Sequence, residues 1–321
     1  MERRAFLLGL GGLAATPAQA HSPLPEVGFL HPGSSAALAP RLAAVIEGLR
    51  GRGFVDGQTV SVIARFADLD PGKTVAYAGE LIQRKVAVVL AVGPQAVNAM
   101  RGVTTSVPIV ALDLESDPVK SGLIERLSHP GGNVTGLFFD FPDFSTKWLE
   151  LLGETIPGLA RLGVLWDPST GAVQLDAVTA AAERRKLTLQ ILKVASPSEM
   201  DPAFEAANDA RVQAVLALSS PVFGTIPEQL AEAALRHRMP TITLFPEYAE
   251  AGGLMAYGTN LTDLFRQAGE MVGKVLAGTR PADLPVERPS RFELVVNLKT
   301  AAALGITIPS VVQLRADRLV E

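Results

Sequence analysis

The chain has 321 residues, a formal net charge of −4 at pH 7 and no cysteine. The lack of cysteine excludes disulfides, thiolate metal sites and a cysteine nucleophile. The mildly acidic charge, without any basic stripe, argues against nucleic acid or an anionic membrane surface as a partner. A chain of this length can form two domains, each with its own core.

The first twenty residues have the pattern of an export signal. Residues 1–4 (MERR) are a short cationic start, residues 5–16 are apolar, and residues 18–20 (AQA) have the small-x-small form of a signal-peptidase site. We therefore predict that 1–20 is a cleaved signal peptide and that the mature protein is periplasmic. The paired arginines also resemble a twin-arginine signal, so the export route stays open. The alternative is an N-terminal membrane anchor, for which the apolar stretch is short.

A first series of strands and helices follows. Strands are predicted at 26–30, 60–66, 86–92, 108–112 and 134–139, and helices at 39–52, 73–84, 94–100 and 119–127. The strands are continuous apolar runs rather than alternating patterns. Such strands, separated by helices, indicate a parallel sheet that is covered on both faces.

A second series repeats this arrangement. Its predicted helices are 144–155, 173–185, 199–210 and 227–237, and its strands are 162–166, 189–194, 214–218 and 241–244. After these come a crossing segment at 252–258, a helix at 261–276, a proline-rich stretch at 281–289, a strand at 292–297 and a short helix at 299–304.

Three sequence segments recur at an offset of about 130 residues, which indicates a repeated α/β unit. The pairs are 28–36 (GFLHPGSSA) with 163–171 (GVLWDPSTG), 88–94 (VVLAVGP) with 215–221 (VLALSSP), and 107–112 (VPIVAL) with 239–244 (MPTITL). We predict an α/β fold of two doubly wound parallel-sheet lobes joined by several crossings. Lobe 1 comprises 21–137 plus 259–290, and lobe 2 comprises 138–258 plus 291–321. Because parallel sheets bind ligands beyond the carboxyl ends of their strands, we expect the ligand in the cleft between the lobes.

Four turns in order carry a resemblance to a known family. They are 53–58 (GFVDGQ), 130–137 (PGGNVTGL), 251–258 (AGGLMAYG) and 292–301 (FELVVNLKTA). Together they resemble the ABC-transporter substrate-binding family that includes tryptophan- and tyrosine-binding lipoproteins, across essentially the whole mature chain.

This resemblance implies a type I periplasmic binding protein and no chemistry on the ligand. Such a receptor captures a small polar or amino-acid-like solute by hinge closure and delivers it to an inner-membrane ABC permease and ATPase. The chain departs from the lipoprotein members because it lacks the anchoring cysteine. It also has Asp167 where many relatives carry Asn, and a longer acidic loop at 113–118 where they have a short Gly-Asp-Pro turn.

Candidate ligand-binding residues in lobe 1 follow the predicted strands. The loop after the first strand offers hydroxyl and backbone N–H groups to a carboxylate, or is simply a serine-capped turn. The residues after the third strand combine a glycine, which permits close backbone approach, with an amide side chain. The acidic loop suits a ligand ammonium; the alternatives are an acid–base pair, a hard-cation site or a solvated loop. The candidates are Gly33, Ser34, Ser35, Gly93, Pro94, Gln95, Asp113, Glu115 and Asp140.

Lobe 2 offers candidates at the equivalent positions. An indole could stack on a flat ligand or pack under its own loop, and two serines stand where lobe 1 has its glycine. The segment after the fourth strand adds an aromatic ring and a carboxylate. These candidates are Trp166, Asp167, Ser169, Thr170, Ser219, Ser220, Phe245 and Glu247.

No catalytic or metal site is predicted. His21, His31, His129 and His237 lack the spacing of metal ligands, and there is no nucleophile elbow, dinucleotide fingerprint or P-loop. We therefore expect a monomeric binding protein without a cofactor. The alternatives are a ligand sensor of the same fold, serving a membrane kinase or chemoreceptor, and an isomerase-type enzyme.

Overall fold

The computed structural model describes residues 23–139, 141–289 and 291–321. The predicted signal peptide and the candidate Asp140 lie outside these ranges. Two open sheets, each flanked by helices, make up the described chain, and this confirms the predicted two-lobed α/β fold. We call the unit around the first sheet lobe 1 and the unit around the second sheet lobe 2.

The first sheet has five strands in the order β2-β1-β3-β4-β5, all parallel. The strands are β1 (Glu26–His31), β2 (Ser61–Phe66), β3 (Val88–Val92), β4 (Ile109–Asp113) and β5 (Val134–Phe138). The helices of this series are α1 (Ser35–Gly51), α2 (Pro71–Gln83) and α3 (Gly93–Val103). β3, β4 and β5 are buried along their whole length, as expected for strands covered on both faces.

The second sheet has seven strands in the order β12-β11-β10-β9-β8-β6-β7. The strands are β6 (Arg161–Trp166), β7 (Thr188–Lys193), β8 (Ala214–Ala217), β9 (Thr241–Thr243), β10 (Met255–Gly258), β11 (Glu293–Asn297) and β12 (Arg318–Val320). The pairing of β10 with β11 is antiparallel, and the other pairings in this sheet are parallel.

Nine α-helices of the described chain follow β5 in sequence. They are α4 (Phe141–Thr155), α5 (Val173–Arg184), α6 (Met200–Asp209), α7 (Pro221–Thr225), α8 (Pro227–Arg236), α9 (Pro246–Glu250), α10 (Leu261–Leu276), α11 (Leu298–Leu304) and α12 (Ser310–Arg315). None of the helices in the described ranges is both long and apolar enough to cross a membrane.

The chain passes between the lobes more than once. Helix α10 lies between β10 and β11 of the second sheet in sequence but packs along α1 of lobe 1, where small residues allow the two backbones to approach closely. The segment after α10 returns to β5: the backbone N–H of Phe138 donates to Glu287 O at 3.2 Å, and that of Glu287 donates to Gly136 O at 2.9 Å. Helix α4 packs on lobe 2, where the Trp148 indole N–H donates to Tyr257 O at 2.7 Å.

Aromatic rings pack where the chain crosses between the lobes. The ring of Phe144 lies 4.2 Å from Phe139 and 4.8 Å from Phe292, measured between centroids, and Tyr257 lies 5.8 Å from Phe144. These residues come from three different crossings, so the cluster ties the crossings to one another.

The structure differs from the sequence-based elements at several places. The helix predicted at 119–127 is wrong: the segment forms turns, because Asp117 caps the N–H groups of Val119 and Lys120 and Gly122 then takes a left-handed conformation with φ +67°. The short elements β12, α7, α9 and α12 were not predicted, since segments of three to six residues carry little periodicity.

Candidate functional site

The carboxyl ends of β1, β3 and β4 in lobe 1 face lobe 2 directly. Ser219 Oγ donates to Glu115 Oε1 at 2.6 Å, and the Arg41 guanidinium donates to Gly224 O at 2.7 Å. Pro221 also approaches closely, since a Cβ built on Gly93 would lie 3.4 Å from its Cγ. The two lobes are therefore in contact, and the cleft between them is closed.

The cavity at this contact is small. Its volume is about 30 Å³, which is room for about two water molecules. Sites for drug-sized ligands occupy about 300–1,000 Å³. The candidates that line the cavity are Gly93, Glu115, Ser220 and Phe245, and they are joined by His31, Val92, Leu112, Leu114, Arg41, Pro221, Gly224, Leu261 and Phe265. The predicted strand ends thus meet, but in this closed form they leave no space for an amino-acid-sized solute.

Glu115 and Asp113 form a buried acidic pair on lobe 1. Asp113 is 0 % exposed and Glu115 is 5 % exposed. Asp113 Oδ1 accepts the backbone N–H groups of Glu115 and Ser116, both at 3.0 Å, and this closes the turn after β4. Burial, with the neighbouring Asp113 charge, raises the pKa of Glu115 to about 8, and burial also raises the pKa of Asp113. Asp113 therefore shapes the loop, and Glu115 presents its carboxyl group to the cavity.

Two polar residues that the sequence analysis did not select line the same cavity. His31, at the end of β1, accepts the backbone N–H of Gly33 on Nδ1 at 2.9 Å, and burial lowers its pKa well below the usual value, so its ring is neutral. Arg41 lies on α1 with its guanidinium carbon 5.7 Å from the centroid of Phe265. One signal was available in the sequence, since Arg41 is the lone charge in an otherwise apolar stretch from 36 to 46.

The other lobe 1 candidates hold the backbone rather than line the cavity. Ser34 is the residue before α1 and its side chain makes no capping bond, while Ser35 is exposed. The segment Gly93–Gln95 forms the first turn of α3, in agreement with the helix predicted at 94–100; Gly93 has φ +75°, which lets the chain turn directly from β3 into the helix. Pro94 is buried and Gln95 is half-buried.

Asp167 and Ser220 form a buried hydrogen-bonded pair in lobe 2. Ser220 Oγ donates to Asp167 Oδ2 at 2.6 Å and accepts the N–H of Val222 at 3.0 Å, so it caps α7. Asp167 Oδ1 accepts the N–H of Ser169 at 2.9 Å. Ser219 is held by Gln174 of α5, whose amide exchanges two bonds of 2.8 Å with the Ser219 backbone. These bonds fix the position of the Ser219 hydroxyl that meets Glu115.

The remaining lobe 2 candidates lie away from the cavity or beside it. The Trp166 indole N–H donates to Gly171 O at 2.9 Å, which supports the alternative that Trp166 packs under its own loop. Thr170 Oγ1 donates to Asp167 O at 2.7 Å, and Ser169 is exposed. Glu247 is half-buried and its buried Oε2 has no hydrogen-bond partner; burial raises the pKa of Glu247 against the opposing charge of Arg41.

Two larger cavities flank the closed centre, each lined by both lobes. One has a volume of about 530 Å³ and lies beside the crossings, with Lys120, Phe139 and Asp176 among its walls. The other, of about 470 Å³, is reached past Arg41 and is lined by Glu228, Glu247 and Glu250. Within the described ranges, no three His, Asp or Glu side chains come close enough together to hold a metal ion.

The family model described as "ABC transporter substrate binding protein" matches residues 26–320. The chain belongs to this family. A curated relative, the tyrosine-binding protein of Clostridioides difficile (strain R20291), is 25% identical over 266 residues, which cover 81% of this chain and 75% of the relative.

Solved structures resemble this substrate-binding protein over nearly its whole length. A conserved domain protein from Vibrio cholerae superposes with a TM-score of 0.85 at 25% identity, over 92% of this chain and 100% of the other. An ABC domain from Streptococcus pneumonia in complex with L-Trp superposes with a TM-score of 0.84 at 25% identity, over 93% of this chain and 100% of that one.

A structure described as ligand-free and open superposes less well. The neighbour is a substrate binding protein with adhesive properties from Clostridium difficile. It superposes with a TM-score of 0.66 at 24% identity, over 92% of this chain and 99% of the neighbour.

Proposed function

We propose that this chain is the solute-binding component of an ABC importer and that it takes an amino-acid-like solute into the cleft between the lobes. The observation that carries the proposal is Glu115: a carboxyl group at the lobe boundary, 5 % exposed, that makes no ion pair with a described Lys, Arg or His. Buried carboxylates in proteins are paired, so an unpaired one facing a closing cleft suits a cation supplied by the ligand.

The opposite charge needed for a zwitterion is supplied by Arg41. Arg41 and Glu115 line the same central cavity, and the guanidinium donates to Gly224 O through one of its nitrogens, which leaves donors for a carboxylate. A solute with an ammonium near Glu115 and a carboxylate near Arg41 would match both charges. Phe245 and Phe265 would provide apolar walls for its remainder.

The small volume of the cavity supports hinge closure. A volume of about 30 Å³ admits no amino acid, so the solute must enter while the lobes are apart and hold them at a wider spacing. The crossings near Phe139, Phe292 and Gly258 are the segments where the lobes would rotate. The lobe boundaries predicted above, 21–137 plus 259–290 and 138–258 plus 291–321, belong to this proposal.

The cellular setting is also proposed. It comprises a cleaved export signal, a periplasmic location, delivery to an inner-membrane permease and ATPase, a monomeric state and no cofactor or chemistry on the solute. Family membership supports the transport role over the sensor and the isomerase. Recovery of the solute chemically unchanged, at one equivalent per chain, would exclude the isomerase.

A binding screen tests the proposal directly. Purified protein is heated with each of the amino acids, with aromatic acids and with small amines, because a ligand that binds only the folded state raises Tm. Hits, with L-tryptophan and L-tyrosine as first probes, are then titrated by calorimetry. We expect one saturable site and an affinity at least tenfold weaker in Glu115→Gln. Glu205→Gln, which changes an exposed acid on α6, is the matched control.

Two results would contradict the proposal. One is a screen in which no zwitterionic or amine-bearing compound raises Tm. The other is an affinity in Glu115→Gln and Arg41→Gln that equals the affinity of the native protein, since that would move the solute away from the central cavity.

A further inference from the structure

We propose that Asp113 and Glu115 share one proton in the ligand-free closed form and that this proton couples closure of the empty cleft to pH. A second part, which rests on the proposed function, is that the cationic group of the solute replaces the proton. The buried carboxyl pair would then act as a site that holds either a proton or a solute cation.

The hydrogen bonds of Asp113 leave one atom unsatisfied. Its Oδ1 accepts the N–H groups of Glu115 and Ser116, whereas Oδ2 is buried and has no hydrogen-bond partner. The side chains of Ser116 and Glu115 both interact with the Asp113 carboxyl, and the Asp113 charge disfavours ionisation of Glu115. A hydrogen bond between two carboxyl groups requires a proton on one of them, and a proton on Glu115 donated to Asp113 would satisfy the orphaned oxygen.

The charges around the pair favour a proton there. Among the described residues no Lys, Arg or His nitrogen forms an ion pair with either carboxyl, and two adjacent buried carboxylates cannot both ionise without a large cost. His31 of β1 faces the same cavity but is neutral. Arg41 of α1 is the positive group in the cavity lining, and its guanidinium is engaged with Gly224 of lobe 2.

Lobe 2 contributes no compensating charge. Ser219 donates its hydroxyl to Glu115 Oε1, and Ser220, beside it, donates to Asp167, so the ionisable group bonded to the neighbouring serine is another carboxylate. Closure therefore brings Glu115 from solvent into a place where its ionised form is disfavoured. It follows that acid favours the empty closed form and that base favours the open form.

Small-angle X-ray scattering of the ligand-free protein tests the first part. We expect a smaller radius of gyration at pH 6 than at pH 9 for the native chain. In Glu115→Gln the side-chain amide can donate to Asp113 Oδ2 and accept from Ser219 at any pH. This variant should therefore stay compact at both pH 6 and pH 9. Glu205→Gln should behave as the native chain does. A native radius that does not change with pH, or a Glu115→Gln variant that expands like the native chain, would overturn the proposal.

Infrared difference spectroscopy adds a readout that needs neither motion nor ligand. At pH 6.5 the native protein should show the C=O band of a buried protonated carboxyl, and Glu115→Gln should lack it. Absence of this band from the native spectrum would contradict the proposal that the two carboxyls share a proton. Both measurements use the ligand-free protein and can be made even if no solute is found. A negative result in them is therefore distinct from a negative result in the binding screen.

Calorimetry with L-tryptophan tests the second part. Titrations at pH 7 in phosphate and in Tris should give different binding enthalpies, because the buffer takes up the proton that binding releases. The difference should correspond to the release of at most about one proton. The affinity should rise by at most about tenfold per pH unit between pH 6 and 8. Tight binding with the same enthalpy in both buffers would show that the cation does not replace the proton.

Discussion

Ser219 of lobe 2 donates its hydroxyl proton to Glu115 of lobe 1 over 2.6 Å, although the two residues stand 104 positions apart in the chain. The serine sits directly after β8, and its backbone is anchored by Gln174 of α5. A polar contact of this kind can be exchanged for water or for a solute, whereas an apolar seal would resist opening. The lobes thus meet through a reversible bond at the place where a solute is proposed to bind.

Removing that bond should open the empty protein. In Ser219→Ala the Gln174 bonds remain, because they use the backbone of residue 219, and the fold should stay intact. We expect a larger radius of gyration than that of the native chain at pH 6, measured by X-ray scattering. Ser198→Ala, an exposed serine, should leave the radius unchanged. Equal radii for Ser219→Ala and the native chain would mean that other contacts hold the lobes together.

Asp167 is expected to support lobe 2 rather than touch solute. Asp167→Ala loses the bonds to Ser220 and to the Ser169 N–H, so the free energy of unfolding in urea should fall by about 1–3 kcal/mol. Asp176→Ala, an exposed acid on α5, should change it by less than about 0.5 kcal/mol. Native stability combined with lost solute binding in Asp167→Ala would instead place this carboxylate on the solute.

Two glycines in helices should respond to alanine in opposite directions. A Cβ on Gly48 of α1 would lie 2.0 Å from Arg266 O of α10, so Gly48→Ala must push the two helices apart and destabilise lobe 1. Gly79 of α2 has no atom within 4 Å of such a Cβ, and Gly79→Ala should stabilise the protein by about 0.5–1 kcal/mol. Thermal unfolding of both variants measures the difference, and a Gly48→Ala variant as stable as the native chain would refute the close contact.

Replacement of the two tryptophans should cost different amounts of stability. Trp148 is fully buried and bonds to Tyr257 O, so Trp148→Phe leaves a buried carbonyl unsatisfied and should cost about 1–3 kcal/mol in urea unfolding. Trp166 is half-buried and bonds within its own loop, and Trp166→Phe should cost less than about 1 kcal/mol. A larger loss in Trp166→Phe than in Trp148→Phe would reverse these assignments.

Stability of the ligand-free protein should decline with rising pH because of Glu115. Its folded-state pKa of about 8 exceeds its ordinary value of 4.5, so the native state holds a proton that the unfolded chain releases. The contribution of this proton to the free energy of unfolding is fully present below the ordinary pKa. It is lost as pH rises towards 8, and the free energy of unfolding then falls by at most about 1.4 kcal/mol per pH unit. Urea titrations from pH 5 to 8 should show the decline in the native chain and in Glu205→Gln. A decline of equal slope in Glu115→Gln would assign it to other groups.

Local patterns were enough to predict most of the fold. Continuous apolar strands and capped helices depend on nearby residues, and the repeat across about 130 positions indicated two similar lobes. The failed helix at 119–127 shows the limit of such patterns: Asp117 and Gly122 favour turns, and this local chemistry overrode a segment of helical length.

The sequence by itself also selected the strand ends that meet, including Glu115, Ser219 and Ser220, because carboxyl ends of parallel strands share one edge of a sheet. Only the tertiary structure brought Arg41 and His31 into the same cavity. Arg41 projects from a helix, and nothing local to a helix determines which neighbour will cover a given face. The guanidinium of Arg41 donates to the carbonyl of Gly224, 183 residues away in the chain. The packing of the two lobes therefore decides which group Arg41 contacts.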